Sequence, residues 1–380
     1  MNTVTSFSSG DQFEAWAPGA APGFDGKRFK ELLLYLERNG GFDDIYVAAY
    51  EPIMVKAGGA LSRVVPRELE ETELYAILQV VYAESAQTEL VRGQELDFSY
   101  ELRHDRQERY RYRGSAALQR SRRMDRAPSF VLRSIKPTPP HISEVGLTPE
   151  FVSGLFPKQG LVIVAGETGS GKSTLLSSAI RYFVEELAED KVMLTAEAPI
   201  EYVYDAVDKR NNIIWQREVE ADGFAPAVRN MLRRSPDFIL VGEMRDAATV
   251  EAGIRASMTG HGVLATVHAN SVVEILRRMA NEFPGEERDA RLREIVANIR
   301  VGIVQYLARR TTGGRVPIRG YFFFDQQTRA DLLALGTEEM LAELERRTRE
   351  RGNTMLDDAR AKHAEGLISD EEYQFIQAGV

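Results

Sequence analysis

Residues 161–176, LVIVAGETGSGKSTLL, decide the fold of this chain. A short apolar run enters a glycine-rich turn, and the residues after the turn have the pattern of a helix. The turn matches G-x-x-x-x-G-K-[ST] in the strand–loop–helix context that this motif requires. Glycines allow backbone N–H groups to turn inward around phosphate oxygens, and a helix N-terminus adds partial positive charge. The stretch therefore predicts a loop that binds the phosphates of a nucleotide. A chance match in a turn is the alternative, and the flanking strand and helix argue against it.

Within this loop, each residue type has a chemical role. Lys172 is expected to reach the β- and γ-phosphates, and Ser173 is expected to supply a hydroxyl ligand to Mg²⁺. The other predicted nucleotide-binding residues are Gly166, Thr168, Gly169, Ser170, Gly171 and Thr174. The implied cofactors are ATP and Mg²⁺.

The chain around the loop predicts an α/β domain. From about residue 158, short apolar strands such as KVMLTAE, DFILVGE and GVLATVH alternate with helical stretches. This alternation is typical of a mostly parallel sheet wrapped by helices. After residue 270 the pattern is helical, with one aromatic strand, RGYFFFD, and the C-terminal residues form charged helices.

Three carboxylates follow strands of this domain. Glu243 ends the strand in SPDFILVGEMRD, where a carboxylate directed at Mg²⁺ or water stands in phosphate-loop enzymes. Glu197 and Glu201 lie in TAEAPIEYVY, and either could orient or deprotonate an attacking water. If that stretch stood alone, two exposed loop acids would be the better interpretation. Asp246 is expected to cap the helix that follows Glu243.

Two histidines flank the strand in GHGVLATVHANS. His261 and His268 lie seven residues apart, which is no metal-site pattern, and no third zinc ligand is evident. Near a γ-phosphate, a histidine could respond to the state of the nucleotide through a hydrogen bond. His104, His141 and His363 have no such context and are interpreted as structural.

The first third of the chain has a different organisation. Alternating and helical patterns there predict a compact α+β domain, and the prolines of RSIKPTPPHI favour an extended connector. The predicted segments are a flexible leader over 1–26, an N-terminal domain over 27–133, a linker over 134–145, the ATPase domain over 146–335 and C-terminal helices over 336–380.

Composition limits the location and the partners. The 380 residues include no cysteine, which excludes a disulfide framework, and the N-terminus lacks the pattern of a signal peptide. The apolar runs are too short to span a bilayer, so a cytoplasmic protein is expected. The net charge of −9 argues against a general nucleic-acid binder, although residues 101–136 carry a local excess of arginine and lysine.

Four segments, in this order, resemble the motifs of the secretion traffic ATPases, which drive type IV pili, type II secretion and type IV secretion. GETGSGKST is similar to their Walker A loop, TAEAPIEYVY to the Asp box, SPDFILVGEMRD to Walker B and GHGVLATVHAN to the His box. The resemblance covers roughly residues 30–330. GEMRD and QREV are most similar to the PilT-like branch, whereas NEFPGEER and the C-terminal region are most similar to the DotB and TraJ ATPases of type IVB secretion.

The resemblance implies a homohexameric ring whose subunits join a PAS-like N-terminal domain to a RecA-like ATPase domain, with nucleotide between the two. It implies that Glu201 is the catalytic carboxylate, that Glu243 is the Walker B acid and that His268 lies near the γ-phosphate. It also implies that arginines of the basic segment, Arg113 first and Arg133 next, contact the nucleotide.

One position departs from the family pattern. An acid usually follows the first glutamate of the Asp box, and Ala198 stands there in this chain, so the role of Glu197 stays open. The expected function is ATP hydrolysis that powers type IVB-like secretion through an inner-membrane complex. A pilus-retraction motor is the first alternative. A nucleic-acid translocase and a non-hydrolysing, nucleotide-gated scaffold are the others.

Overall fold

The chain forms two compact units, Met1–Pro137 and Thr138–Val380. The structure, a computed structural model, describes residues 23–57, 60–65, 67–105, 108–135, 138–220 and 222–379. Most of the predicted leader lies outside these residues. Phe24, which the sequence pattern placed in that leader, is fully buried, and helix α1 begins at Gly26.

The N-terminal unit is an α+β domain built on one antiparallel sheet. Its elements are α1 (Gly26–Arg38), β1 (Asp44–Ala48), β2 (Ile53–Ala57), β3 (Ala60–Val65), α2 (Glu71–Val81), α3 (Ala86–Val91), β4 (Leu96–Arg103), β5 (Arg109–Gln119) and β6 (Ala127–Ile135). The strands lie in the order β3-β2-β1-β6-β5-β4. Apolar residues of the three helices and of the strands form one core, and Phe29 and Tyr112 are among its largest fully buried side chains.

The second unit is an α/β domain with a seven-stranded sheet in the order β13-β12-β7-β11-β10-β8-β9. Its first half contains α4 (Pro149–Gly154), β7 (Gly160–Ala165), α5 (Lys172–Tyr182), β8 (Val192–Glu197), β9 (Ile213–Glu218), α6 (Phe224–Met231) and β10 (Phe238–Val241). Its second half contains α7 (Ala247–Met258), β11 (Gly262–Val267), α8 (Val272–Asn281), α9 (Arg288–Asn298), β12 (Ile299–Arg309), β13 (Arg315–Phe323), α10 (Gln326–Leu333), α11 (Thr337–Arg351), α12 (Met355–Ala364) and α13 (Asp370–Gln377). All pairs are parallel except β12–β13.

Parallel pairing determines where the functional residues can lie. Strands β7, β11, β10 and β8 are neighbours in the sheet, so their carboxyl ends meet at one edge. Every residue of β7, β10 and β11 is buried, as expected for strands covered on both faces. Ligands of open parallel sheets bind outside this edge. The predicted α/β class, with its smaller α+β domain and helical C-terminal extension, is confirmed.

Two segments outside the sheet pack on the second unit. Ile142, in the segment 134–145 that the sequence pattern predicted as an extended connector, is buried in a core with the apolar face of α5, and so is Leu147, just after that segment. The C-terminal helices pack on the β12–β13 hairpin, where Ala359, Ile368 and Ile376 are buried with Ala308, Val316 and Ile318. Apolar side chains at these few positions hold both segments on the domain.

We expect Glu73→Gln to destabilise the N-terminal unit in a pH-dependent way. The Glu73 carboxylate accepts hydrogen bonds from the Phe24 N–H at 2.6 Å, the Glu70 N–H at 2.9 Å and the Arg67 guanidinium at 2.7 and 2.8 Å. Burial acts to raise the pKa of Glu73, but these bonds lower it from 4.5 to about 2. The ionised carboxylate therefore stabilises the fold above pH 4.5, and this contribution is lost as the pH falls toward 2.

The free energy of unfolding should fall by about 1.5–3 kcal/mol at neutral pH in the variant, the range for hydrogen bonds to a charged group. Denaturant unfolding of parent and variant, followed at several pH values, should show a difference that shrinks as the pH falls below 4.5. Glu84→Gln, at an exposed position after α2, is the control. A difference between parent and variant that is the same at every pH would contradict this assignment.

Candidate nucleotide-binding site

The predicted phosphate loop lies between β7 and α5, at the carboxyl edge of the sheet. Gly166, Gly169 and Gly171 have φ angles of 142°, 80° and 82°, a region that favours glycine. A Cβ on Gly166 would lie 2.3 Å from the carbonyl oxygen of Gln305, and one on Gly171 would lie 2.9 Å from its Nε2. Backbone conformation and crowding therefore both require glycine at 166 and 171.

Lys172 lies at the first helical position and is buried. Its Nζ donates to the carbonyl oxygens of Gly166 at 2.8 Å and Glu167 at 2.9 Å, so the ammonium group lies against the loop. Burial lowers the pKa of Lys172, while the charges of Glu243 and Glu201 act to raise it. Two carboxylates from other strand ends are therefore close enough to act on the lysine of the loop.

The loop residues fit a phosphate group with Mg²⁺. Ser170 Oγ is buried without a hydrogen-bond partner among the described residues, and it would lie 2.6 Å from a Cβ on Gly166. A phosphate oxygen can satisfy such an unpaired buried hydroxyl in a glycine-rich loop. Ser173, in the first turn of α5, is half-buried and is the hydroxyl available to hold Mg²⁺. The metal ion, when bound, would neutralise charge on the phosphates.

Glu197 and Glu201 have opposite environments. Glu197 is the last residue of β8 and is buried, and its Oε1 accepts hydrogen bonds from Thr195 Oγ1 at 2.6 Å and Gln216 Nε2 at 3.0 Å. Burial raises the pKa of Glu197. Glu201, four residues on, is exposed. The two acids that the sequence left open therefore separate into an internal hydrogen-bonding group and a solvent-facing carboxylate.

The segment that carries Glu201 is fixed at two points beside it. The carbonyl oxygen of Tyr202 accepts from Gln216 Nε2 at 2.8 Å, which ties the segment to β9. The Tyr202 hydroxyl lies 3.0 Å from Thr174 Oγ1 in the first turn of α5, and either hydroxyl can donate. These contacts hold Glu201 beside the phosphate loop.

Glu243 and His268 meet at the same edge. His268 Nε2 lies 3.1 Å from Glu243 Oε1, and both side chains are partly exposed. The backbone around Glu243 is clamped between strands, because the Gly242 N–H donates to the Ala196 carbonyl at 2.8 Å and the Met244 N–H donates to the Thr266 carbonyl at 2.9 Å. The structure thus brings together Lys172, Glu243 and His268 from three different strand ends.

The other motif residues have structural roles. His261 lies at the opposite end of β11 from His268, where its Nδ1 is 3.1 Å from the Ala256 carbonyl oxygen. Within the described ranges, no group of three His, Cys, Asp or Glu side chains could hold a metal ion. Asp246 caps α7 by accepting from the Thr249 N–H at 2.8 Å, which confirms the predicted cap.

Arg113 and Arg133 belong to the N-terminal unit. They lie directly opposite each other on β5 and β6, and both are exposed. Arg133 Nε donates to Asp44 Oδ1 at 2.7 Å, and this hydrogen bond raises the pKa of Arg133. The pair therefore forms a small basic patch on the sheet, with one of its two arginines already held by a carboxylate.

Three residues at the site were not predicted from the sequence. Gln216 lies in QREV, which the sequence marked only as similar to the PilT-like branch, and Tyr202 follows Glu201 directly. Gln305 is a buried polar residue in the apolar strand β12, IRVGIVQYLAR. A polar side chain inside an apolar run is the signal that could have identified it, because buried polar groups need partners.

Comparison with known proteins is consistent with this geometry. Residues 127–328 match the family model described as Type II/IV secretion system protein. The X-ray structure of the Legionella pneumophila ATPase DotB has a TM-score of 0.84 to this chain at 36% identity, covering 97% of this chain and 100% of that one. The crystal structure of the pilus retraction motor PilT with bound ADP has a TM-score of 0.78 at 30% identity, covering 92% and 96%. The type IV pilus retraction ATPase PilT of Pseudomonas aeruginosa is 32% identical over 289 residues, 75% of this chain and 79% of that protein.

We expect Lys172→Ala to abolish hydrolysis and weaken nucleotide binding, because the cation in contact with the loop is lost. The turnover should fall by at least about 10²-fold, the scale for removing one charge-stabilising group from an active site. Phosphate release and the binding of fluorescent ADP measure the two effects. Lys191→Ala is the matched control, since Lys191 lies just before β8, at the other edge of the sheet, and pairs with Asp237. Undiminished turnover in Lys172→Ala would show that the loop is not part of the active site.

Proposed function

The chain belongs to the Type II/IV secretion system protein family, and from this membership we propose that it powers type IVB-like secretion as a homohexameric ring. That it is an ATP-hydrolysing enzyme of the secretion traffic ATPases follows from the family match and from the similar DotB and PilT ATPases. The choice of pathway rests on the likeness to DotB, because this likeness extends over 97% of this chain and 100% of that structure.

In the proposed mechanism, Glu201 activates the attacking water. Its carboxylate is exposed on a segment fixed to α5 and β9, so it can meet a water while keeping its position beside the loop. A carboxylate in that position can orient or deprotonate water. Glu197 is unsuited to the task because it is buried and its Oε1 already accepts two hydrogen bonds inside the domain.

Lys172, Ser173, Glu243 and His268 have the remaining roles. Lys172 and the backbone N–H groups of the loop stabilise phosphate charge, and the Ser173 hydroxyl would hold Mg²⁺. Glu243 acts as the Walker B acid, and His268, whose Nε2 lies 3.1 Å from Glu243 Oε1, responds to the γ-phosphate through a hydrogen bond.

Arg113 and Arg133 are proposed to supply charge to the nucleotide from the N-terminal unit. A guanidinium group suits phosphate because its planar fork bonds two oxygens and stays charged. Arg113 is the stronger candidate, since Arg133 already donates to Asp44.

The proposed place of work is the cytoplasmic face of an inner-membrane secretion or coupling complex. Within the part of the chain that the structure describes, no helix has the length and apolar character needed to cross a membrane. We therefore propose that attachment to the membrane depends on partner proteins. A pilus-retraction role is the second candidate, favoured by the PilT relatives.

Capture from native membranes distinguishes the two pathways. Tagged chain in its source organism, cross-linked and purified from detergent-solubilised inner membrane, should co-purify with secretion-channel or coupling proteins, identified by mass spectrometry. Recovery of pilus-platform proteins instead would favour retraction. The size of the captured ATPase, measured by electron microscopy in ATP, should correspond to a six-subunit ring. Inert monomers under all nucleotide conditions would contradict the proposed ring.

We expect Glu201→Gln to bind ATP like the parent and to lose at least about 10²-fold in turnover, because the amide keeps the shape but loses the base. Asp205→Asn, an exposed carboxylate on the same segment, is the matched control. Steady-state phosphate release and equilibrium binding of labelled ATP separate the two effects. Normal hydrolysis by Glu201→Gln would shift the role to Glu243.

The same phosphate-release assay tests the proposed role of Arg113. Unchanged turnover in Arg113→Ala would contradict that role.

A further inference from the structure

A buried hydrogen-bond relay lies behind the phosphate loop. Gln305 on β12 and Arg319 on β13 are 3% and 7% exposed. Gln305 Nε2 donates to the carbonyl oxygen of Ser170 at 2.6 Å, and Arg319 Nε donates to Gln305 Oε1 at 2.7 Å. One glutamine thus joins a guanidinium group on the β12–β13 hairpin to the backbone of the loop.

Arg319 fixes which end of the Gln305 amide faces the loop. A guanidinium group has only donors, so the amide oxygen of Gln305 must face Arg319. The amide NH₂ group then faces Ser170, where the carbonyl oxygen can only accept. The reversed amide would place two donors together at one end and two acceptors at the other, inside a buried site.

This hydrogen bond also orients a donor of the loop. In a planar trans peptide, the C=O and the following N–H point in opposite directions. The carbonyl of Ser170 is held toward Gln305, so the N–H of Gly171 is turned away from Gln305. In a phosphate loop, such N–H groups bind phosphate oxygens. Gln305 also lies against the positions where a Cβ on Gly166 or Gly171 would stand.

Arg319 connects the relay to two further segments. Its Nη1 and Nη2 donate to the carbonyl oxygens of Gly146 at 2.7 Å and Val145 at 2.5 Å, in the segment just before α4. Its backbone N–H donates to Asp358 Oδ2 on α12 at 2.7 Å. Burial lowers the pKa of Arg319 to about 10, so the side chain stays charged at neutral pH. A buried charge needs all its partners, and loss of one disturbs the others.

We propose that Gln305 and Arg319 are positioning residues that hold the phosphate loop in its nucleotide-binding shape and couple it to α12 and to residues 145–146. The proposal rests on the nucleotide site at the loop but on no particular secretion pathway. It gives the C-terminal helices a route to the site, because a shift of Asp358 on α12 changes the partners of Arg319. A shift of the segment at Val145 and Gly146 reaches the loop by the same route.

Gln305→Glu tests the contact with the loop. The carboxylate still accepts from Arg319, but it cannot donate to the Ser170 carbonyl and places two oxygens against each other. We expect fluorescent ADP to bind about tenfold more weakly or worse, the scale for an unmatched buried polar pair. The melting temperature without nucleotide should fall by only a few degrees, because the charged bond to Arg319 offsets part of the cost of this contact.

Arg315→Gln is the matched control. Arg315 lies at the exposed start of β13 and donates to the Leu307 carbonyl at 3.0 Å, so its loss should leave ADP binding unchanged. Two single variants separate the relay from the nucleotide site. If Lys172→Ala loses ADP binding but Gln305→Glu binds ADP like the parent, the relay is overturned and the nucleotide site stands. A Gln305→Glu protein that melts early but binds ADP normally would show a merely structural role and would also overturn it.

A double-mutant cycle tests the connection to α12. Asp358→Ala should weaken ADP binding severalfold in the parent and have little further effect in Gln305→Glu, since the route through Gln305 is already broken. Asp358→Leu, which has a similar shape but no acceptor for the Arg319 N–H, replaces it if the alanine variant unfolds. Glu365→Ala, exposed at the end of α12, is the control and should change nothing. Equal fold-changes in both backgrounds would contradict the coupling.

Discussion

Parallel pairing of β7, β11, β10 and β8 is the constraint on which the site depends. The pairing places the carboxyl ends of four strands at one edge, so residues far apart in sequence can act on one ligand. The strands of this group are apolar and almost wholly buried, which leaves the chemistry to the segments that follow them. The phosphate loop, the segment with Glu201, Glu243 and His268 all emerge there. The buried body of each strand thus stabilises the domain, while the segment after its carboxyl end supplies the chemical groups.

Burial assigns different roles to residues of the same type. Glu197 and Glu201 are four positions apart, yet one accepts two hydrogen bonds inside the fold and the other faces solvent. The exposed carboxylate keeps the freedom to meet a water, while the buried one organises Gln216 and, through it, the Tyr202 carbonyl. The buried carboxylate thus supports the backbone of the segment that carries the exposed one.

The β12–β13 hairpin has a comparable supporting role behind the loop. It carries the charge of Arg319 into the protein interior and satisfies it with an amide oxygen and two carbonyl oxygens, while the backbone N–H of Arg319 donates to a carboxylate on α12. Such an arrangement is costly to break, and it joins elements that are distant in sequence. The C-terminal helices are therefore part of the ATPase domain's architecture, both by their apolar contacts and by this polar connection.

The sequence by itself determined the class of fold and the phosphate loop, because glycine, lysine and hydroxyl residues have to stand at fixed spacing between a strand and a helix. It also placed Glu243, His268 and Asp246 correctly after or before their strands and helices, since these positions depend on local pattern. Tertiary structure decided the rest. The separation of Glu197 from Glu201, the packing of Ile142 and Leu147, and the partners of Gln305 all depend on contacts between residues distant in sequence. Local periodicity shows that a side chain is buried, but only the assembled sheet determines what it meets.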